Sequence, residues 1–143
     1  MTKNIKTVLP LFICAALLIG CGMKESPEKV VESTFNALSM GDYEQATEHL
    51  AEINYLTLYM QSDGDFNSVI WKTFWKNLTG TDDYGSIKIE EIRKCKAWSK
   101  VYSTITSYDG NETEAEWLLI KNGKDWQIIM GVEVDIPALN RKQ

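Results

Sequence analysis

Thr81-Asp82-Asp83-Tyr84-Gly85 marks the point at which the periodicity of this 143-residue chain changes. Two consecutive acids and a glycine make the stretch a turn. Before it, apolar residues recur at three- and four-residue spacing; after it they alternate. Helices therefore precede strands, and the fold class is α+β, with N-terminal helices packed against an antiparallel meander.

Working back from the turn, Gly80 closes a helix that Asp65 is placed to cap, and Phe66, Val69, Ile70, Trp71, Phe74, Trp75 and Leu78 give it a broad apolar surface. This reads as the most buried helix. Between Tyr55 and Gly64 the residues Leu56, Leu58, Tyr59 and Met60 fit a helix or a packed loop, and a helix is the reading adopted. Further back, Asp42 has Gln45 three residues on, a capping-box arrangement, with Tyr43, Ala46, Leu50 and Ile53 as the face to be buried. The first helix is announced by Ser26-Pro27-Glu28, an N-cap, a preset first position and an acid at the positive end of the dipole. Val30, Val31, Thr34, Phe35 and Leu38 form its stripe, and Gly41 ends it.

Working forward, strands are expected over residues 87–95, 101–108, 113–121 and 125–132. In the first, Ile87 and Ile89 alternate and Ile92 falls out of phase, which calls for a bulge. Asp109-Gly110 and Asn122-Gly123 are hairpin turns. The tail from Asp135, with Pro137, is expected to fray.

Three segments together carry a resemblance: Ser26-Pro27-Glu28-Lys29-Val30-Val31 with Phe35, then Gly41-Asp42-Tyr43-Glu44-Gln45-Ala46, then Lys124-Asp125-Trp126-Gln127-Ile128. In order and spacing the chain resembles small bacterial lipoproteins with a nuclear transport factor 2-like domain of no assigned activity. The resemblance implies a strongly curved sheet wrapped around the helices into a cone whose open end can hold a ligand. Enzymes such as ketosteroid isomerases and polyketide cyclases share that superfamily with members that only bind or scaffold.

At the N-terminal limit, Lys3 and Lys6 precede an apolar run that ends in Leu18-Ile19-Gly20-Cys21. The run has the build of an export signal. Its end resembles the bacterial lipobox, which implies cleavage before Cys21 and acylation of the Cys21 thiol. A spanning helix needs roughly 20 apolar residues, more than this Pro10-containing run supplies; an ordinary secretory signal would leave Cys21 incidental. The expected organisation is a signal peptide over residues 1–20, a lipidated tether over 21–25, the domain over 26–134 and a tail over 135–143. Gly22 stands where a sorting Asp would retain a lipoprotein at the inner membrane, so the resemblance implies the outer membrane, facing the periplasm or the surface.

Removing 20 residues from 143 leaves 123, with 13 basic against 20 acidic residues, a net charge of -7 in place of -5. That balance argues against nucleic acid and against electrostatic adhesion to anionic lipid. Attachment then rests on acyl chains, each buried CH2 contributing about 0.8 kcal/mol. Cys14 leaves with the signal and Cys21 takes lipid, so Cys95 has no disulfide partner and reads as a half-buried strand thiol. No cofactor or metal is expected. Asp63-Gly64-Asp65-Phe66-Asn67 begins like a calcium loop, but Ser68 and Phe74 occupy the positions that need Gly and Glu, so a helix cap is the better account.

An enzyme in the cone needs an acid or base whose pKa burial has displaced. The candidates are sparse. His49 is the single His; Glu116 shares a strand face with Leu118, Ile120 and Glu114 and could stand at the mouth of the cone; Tyr43, Tyr55, Tyr59 and Tyr102 offer hydroxyls. Trp71 and Trp75 lie one helical turn apart, and Trp117 and Trp126 stand in the last strands; core packing is the plain reading and an aromatic platform the sharper one. The candidate pocket residues are therefore Tyr43, His49, Tyr59, Trp71, Trp75 and Glu116, beside Cys21 for lipid. The last two strands are apolar on both faces, so one face needs a cover, which self-association through the sheet would provide. A non-catalytic, lipid-anchored binding or assembly module with a small cone-shaped pocket is the leading reading, and a small-molecule enzyme of the isomerase or cyclase type the alternative.

Overall fold

The computed structural model describes residues 25–138. The signal segment, Cys21 and residues 22–24 lie outside the described residues, as do 139–143. Four helices precede four strands: α1 Pro27–Ser39, α2 Tyr43–Ala46 running into a 3-10 turn Thr47–His49, α3 Glu52–Gln61 and α4 Val69–Thr79, then β1 Ser86–Lys94, β2 Trp98–Thr106, β3 Glu112–Asn122 and β4 Asp125–Ile128. The sheet is a fully antiparallel meander in the order β1-β2-β3-β4.

The Ser26 side chain accepts from the Lys29 amide at 3.3 Å, so α1 starts where its cap predicts. Asp42 likewise accepts from the Gln45 amide at 3.0 Å. The reciprocal half of the capping box is absent because the Asp42 N–H already donates to the Ala37 carbonyl at 2.9 Å, and the Gln45 side chain turns to Glu48 instead. The α2 face ends early. Leu50 bridges Ile128, and the Ala51 N–H donates to the Ile128 carbonyl at 2.7 Å, so the chain is extended there and α3 starts afresh. Ile53, expected on a buried face, is consequently 68% exposed.

The helix expected from Asp65 begins at Val69, with Ser68 as N-cap, while Asp65 instead closes a tight turn onto the Asn67 amide. Nor is α4 the most buried helix: it buries Trp71, Trp75 and Thr79, whereas α1 buries Val30, Val31, Thr34, Phe35, Ala37 and Leu38. Gly80 ends α4 in the left-handed conformation, at φ 80°.

The bulge predicted in β1 lies between Ile89 and Glu91, and it returns Ile92 to the face of Ile87 and Ile89, all three packed on the core. On that face Val101, Ile105, Trp117, Leu119 and Ile128 are fully buried beneath the helices, together with Trp71 and Trp75. Trp117 Nε1 donates to Ser103 Oγ at 2.9 Å, which settles the one polar atom of the ring inside the sheet face. β4 is shorter than expected, although Ile129 N–H still reaches the Leu118 carbonyl at 2.9 Å. The C-terminal tail does not fray at Asp135: Ile136 is 3% exposed.

Candidate functional site

Strand alternation sends Tyr102, Lys100, Glu116 and Leu118 to the face opposite Val101 and Trp117. Glu116 therefore stands on the outside of the sheet, away from the helices, and pairs with Lys100 at 3.7 Å. Beside it Arg93 bonds Glu91 at 2.8 Å and lies over the Tyr102 ring at 5.0 Å. Burial, then the negative charge of Glu116, raises the Tyr102 phenol above its ordinary pKa. Glu116 and Glu91 on this face are thus each met by a cation. Val132 to Asp135 return across it, forming with Lys100, Glu116 and Leu118 an open groove of about 500 Å³. Leu118 is 8% exposed and, like Ile136, buried apart from the main core, so the chain's own C-terminal stretch covers part of the face expected to need a partner.

A second open groove runs along α2 and α3. Asp42, Glu44, Gln45, Thr47 and Glu48 form one wall, and Tyr55, Tyr59 and Phe66 the other. Tyr55 stacks on Tyr59 with centroids 5.7 Å apart, and Phe66 joins both to Trp71. Carboxylates facing aromatic rings can receive a cation. Of the sequence candidates Tyr59 lines this groove, with Tyr55, one of the four tyrosines offered for their hydroxyls, beside it. Tyr43 points instead toward the Lys72 ammonium, 6.0 Å from its ring centre. His49 is mostly buried and lies 3.7 Å from Glu25. Trp71 and Trp75 have no exposed surface, and Trp71 Nε1 donates to Ser62 Oγ at 2.9 Å, so both are placed as core.

Sequence reasoning passed over Tyr84, whose ring meets Phe35 edge-on at 5.9 Å and whose hydroxyl lies 3.3 Å from Thr79 Oγ1. Burial raises its pKa. The signal was its place in a turn directly before an alternating run. Cys95 lies in the turn after β1 and is exposed, not half-buried in a strand. Among the described residues no group of three or more His, Cys, Asp or Glu could hold a metal ion.

Helices laid on one face of a four-stranded meander, with open polar grooves elsewhere, define an α+β protein, and its fold is similar to the nuclear transport factor 2-like one. The crystal structure of a Campylobacter jejuni protein bearing the provisional name NTF2-like transpeptidase is similar over 75% of this chain and 100% of its own, at a TM-score of 0.55 and 16% identity. The solution structure of a SEC-C motif containing protein from Rhodopseudomonas palustris matches at a TM-score of 0.50 and 17% identity, over 77% of this chain and 80% of its own. At these identities the likeness is one of fold. No family model matches the sequence, and no curated protein does.

Proposed function

We propose that this chain is a lipid-anchored, non-catalytic binding or assembly module of the bacterial cell envelope, attached by acyl chains on Cys21. The observation that carries the reading is Leu18-Ile19-Gly20-Cys21 at the end of a short apolar run with a basic start. The domain follows almost at once, since the cap of α1 is Ser26.

The non-catalytic part draws support from where the candidate groups stand. Glu116 is ion-paired on the outer sheet face, His49 is held beside Glu25, and the core hydroxyl of Tyr84 is engaged with Thr79. A general acid or base in a cone would face the reacting centre with its pKa displaced. The acidic and aromatic groove along α2 and α3 is the surface on which we place ligand binding, with small cations as the matching chemistry.

The test is fractionation of an export-competent host. The wild-type chain should remain with the membranes and leave them only in detergent, and Cys21→Ser, carried behind an ordinary cleavable secretory signal in place of residues 1–20, should be released in soluble form. Identical partitioning of the two would refute the anchor.

A further inference from the structure

Helix α3 is apolar on the side where a surface helix is ordinarily polar. Its inward side is accounted for by Tyr55, which meets Phe66 and Trp71, and by Asn54, which bonds the backbone of Met130, while Tyr59, 43% exposed, lines the groove toward α2. At 100° per residue, Ile53, Leu56, Thr57 and Met60 share the opposite arc. There Ile53 is 68%, Leu56 47% and Met60 76% exposed. The ten residues Glu52–Gln61 contain one charge, Glu52, and no Lys or Arg. None of the described residues covers this stripe.

The position of the stripe relative to the tether indicates what does. Glu25, the first described residue, lies 3.7 Å from His49, and His49 is four residues before Ile53. Cys21 is four residues before Glu25, a span of at most about 14 Å when extended. Four residues likewise separate His49 from the start of the stripe, which then continues for about 10 Å along the helix. An acylated Cys21 thus holds the bilayer within reach of one apolar helix face. The β2–β3 turn is far from the foot of α3: Leu119 is opposite Ile128 there, and Asn111 lies eight residues along from Leu119, roughly 26 Å in a strand.

We propose that Ile53, Leu56 and Met60 of α3 seat on the membrane surface to which Cys21 tethers the domain, fixing its orientation there. This rests on the anchoring reading above. Three apolar side chains without a basic residue bind bilayers weakly on their own; the tether raises the local concentration of lipid, so contact follows anchoring and does not replace it. Seated this way, the domain turns the hairpin bearing Tyr108, which is 78% exposed, toward the aqueous phase.

The test uses acylated full chain purified from membranes and placed in phosphatidylcholine vesicles. In a Cys95→Ser background a nitroxide is attached at Met60→Cys or, in a second chain, at Tyr108→Cys, and collision with a water-soluble nickel chelate is measured. Relative to the same labels on the Cys21→Ser chain in solution, the Met60 site should lose accessibility several-fold on vesicles and the Tyr108 site should not change. Adding Leu56→Glu should restore most of the loss. Equal accessibility at both sites, with intact mass showing an acylated Cys21, would overturn the seated face and leave the anchor standing. An unacylated Cys21 would overturn both. Concentration-dependent protection of the Met60 site on the Cys21→Ser chain without vesicles would make a second copy the occupant and likewise overturn the proposal.

Discussion

Asn54 and Met130 exchange two hydrogen bonds: the Asn54 amide donates to the Met130 carbonyl at 3.1 Å, and the Met130 N–H donates to Asn54 Oδ1 at 2.9 Å. The pair clamps α3 to the chain leaving β4, beside the Ala51 bond to Ile128. Asn54→Ala leaves both backbone groups of Met130 without those partners in a half-buried place. It should cost about 1–3 kcal/mol in urea unfolding, with α3 amides losing the most hydrogen-exchange protection.

Trp117 and Ser103 form a buried couple at 2.9 Å across β3 and β2. Ser103→Ala strands the indole N–H and should destabilise by about 1–2 kcal/mol. Trp117→Phe removes that donor along with ring volume. The double variant should lose less than the sum of the singles, because no unpaired donor remains. Strict additivity in a denaturant cycle would mean that the bond contributes nothing.

Gly85, the last residue of the switch from helices to strands, has no room for a side chain. A Cβ there would overlap the Thr106 carbonyl oxygen and approach the Ser107 carbonyl carbon at 2.9 Å. Gly110 has open space around its Cβ position but a φ of 95°, so there the strain is conformational alone. Gly85→Ala should therefore cost about 1–3 kcal/mol, as overpacking does. Gly110→Ala should cost about 1–2 kcal/mol, as a left-handed non-glycine residue does. A larger loss at Gly110 than at Gly85 would contradict the close packing at the switch.

Tyr84 gives a pH dependence of known sign. Burial, opposed by the contact with Thr79, raises its pKa above the ordinary 10.0 in the folded state. A raised folded pKa means the folded state holds the proton more tightly, so this contribution is whole below pH 10 and is lost as pH climbs from the unfolded pKa through the folded one. Phenolate absorbance should show a tyrosine that ionises above the ordinary range and is missing from Tyr84→Phe, and Tyr84→Phe should lessen the alkaline loss of stability. Unchanged alkaline unfolding of Tyr84→Phe would place the sensitivity elsewhere, Tyr102 included.

Local chemistry was legible wherever a residue's neighbours in sequence are also its partners in space. Ser26 and Asp42 cap as their positions suggest, and the phase slip at Ile92 located the β1 bulge. Contacts between distant segments were not. The bridge from Leu50 to Ile128 ends the α2 pattern and turns Ile53 outward, which no spacing within residues 43–53 encodes. Alternation showed that Glu116 and Leu118 share a face, but which face meets the helices is decided by Ala115, Trp117 and Leu119 packing beneath α1 and α4. The return of Val132 to Asp135 over Leu118 has no local signal either.

The mass of the native N-terminus bears most directly on the account. Envelope-purified protein, digested and analysed by mass spectrometry, should yield a first peptide that begins at Cys21 and carries the mass of a diacylglycerol thioether with or without an N-acyl chain. A peptide retaining residues 1–20, or one beginning at Cys21 with an unmodified thiol, would contradict the anchor and the orientation built on it.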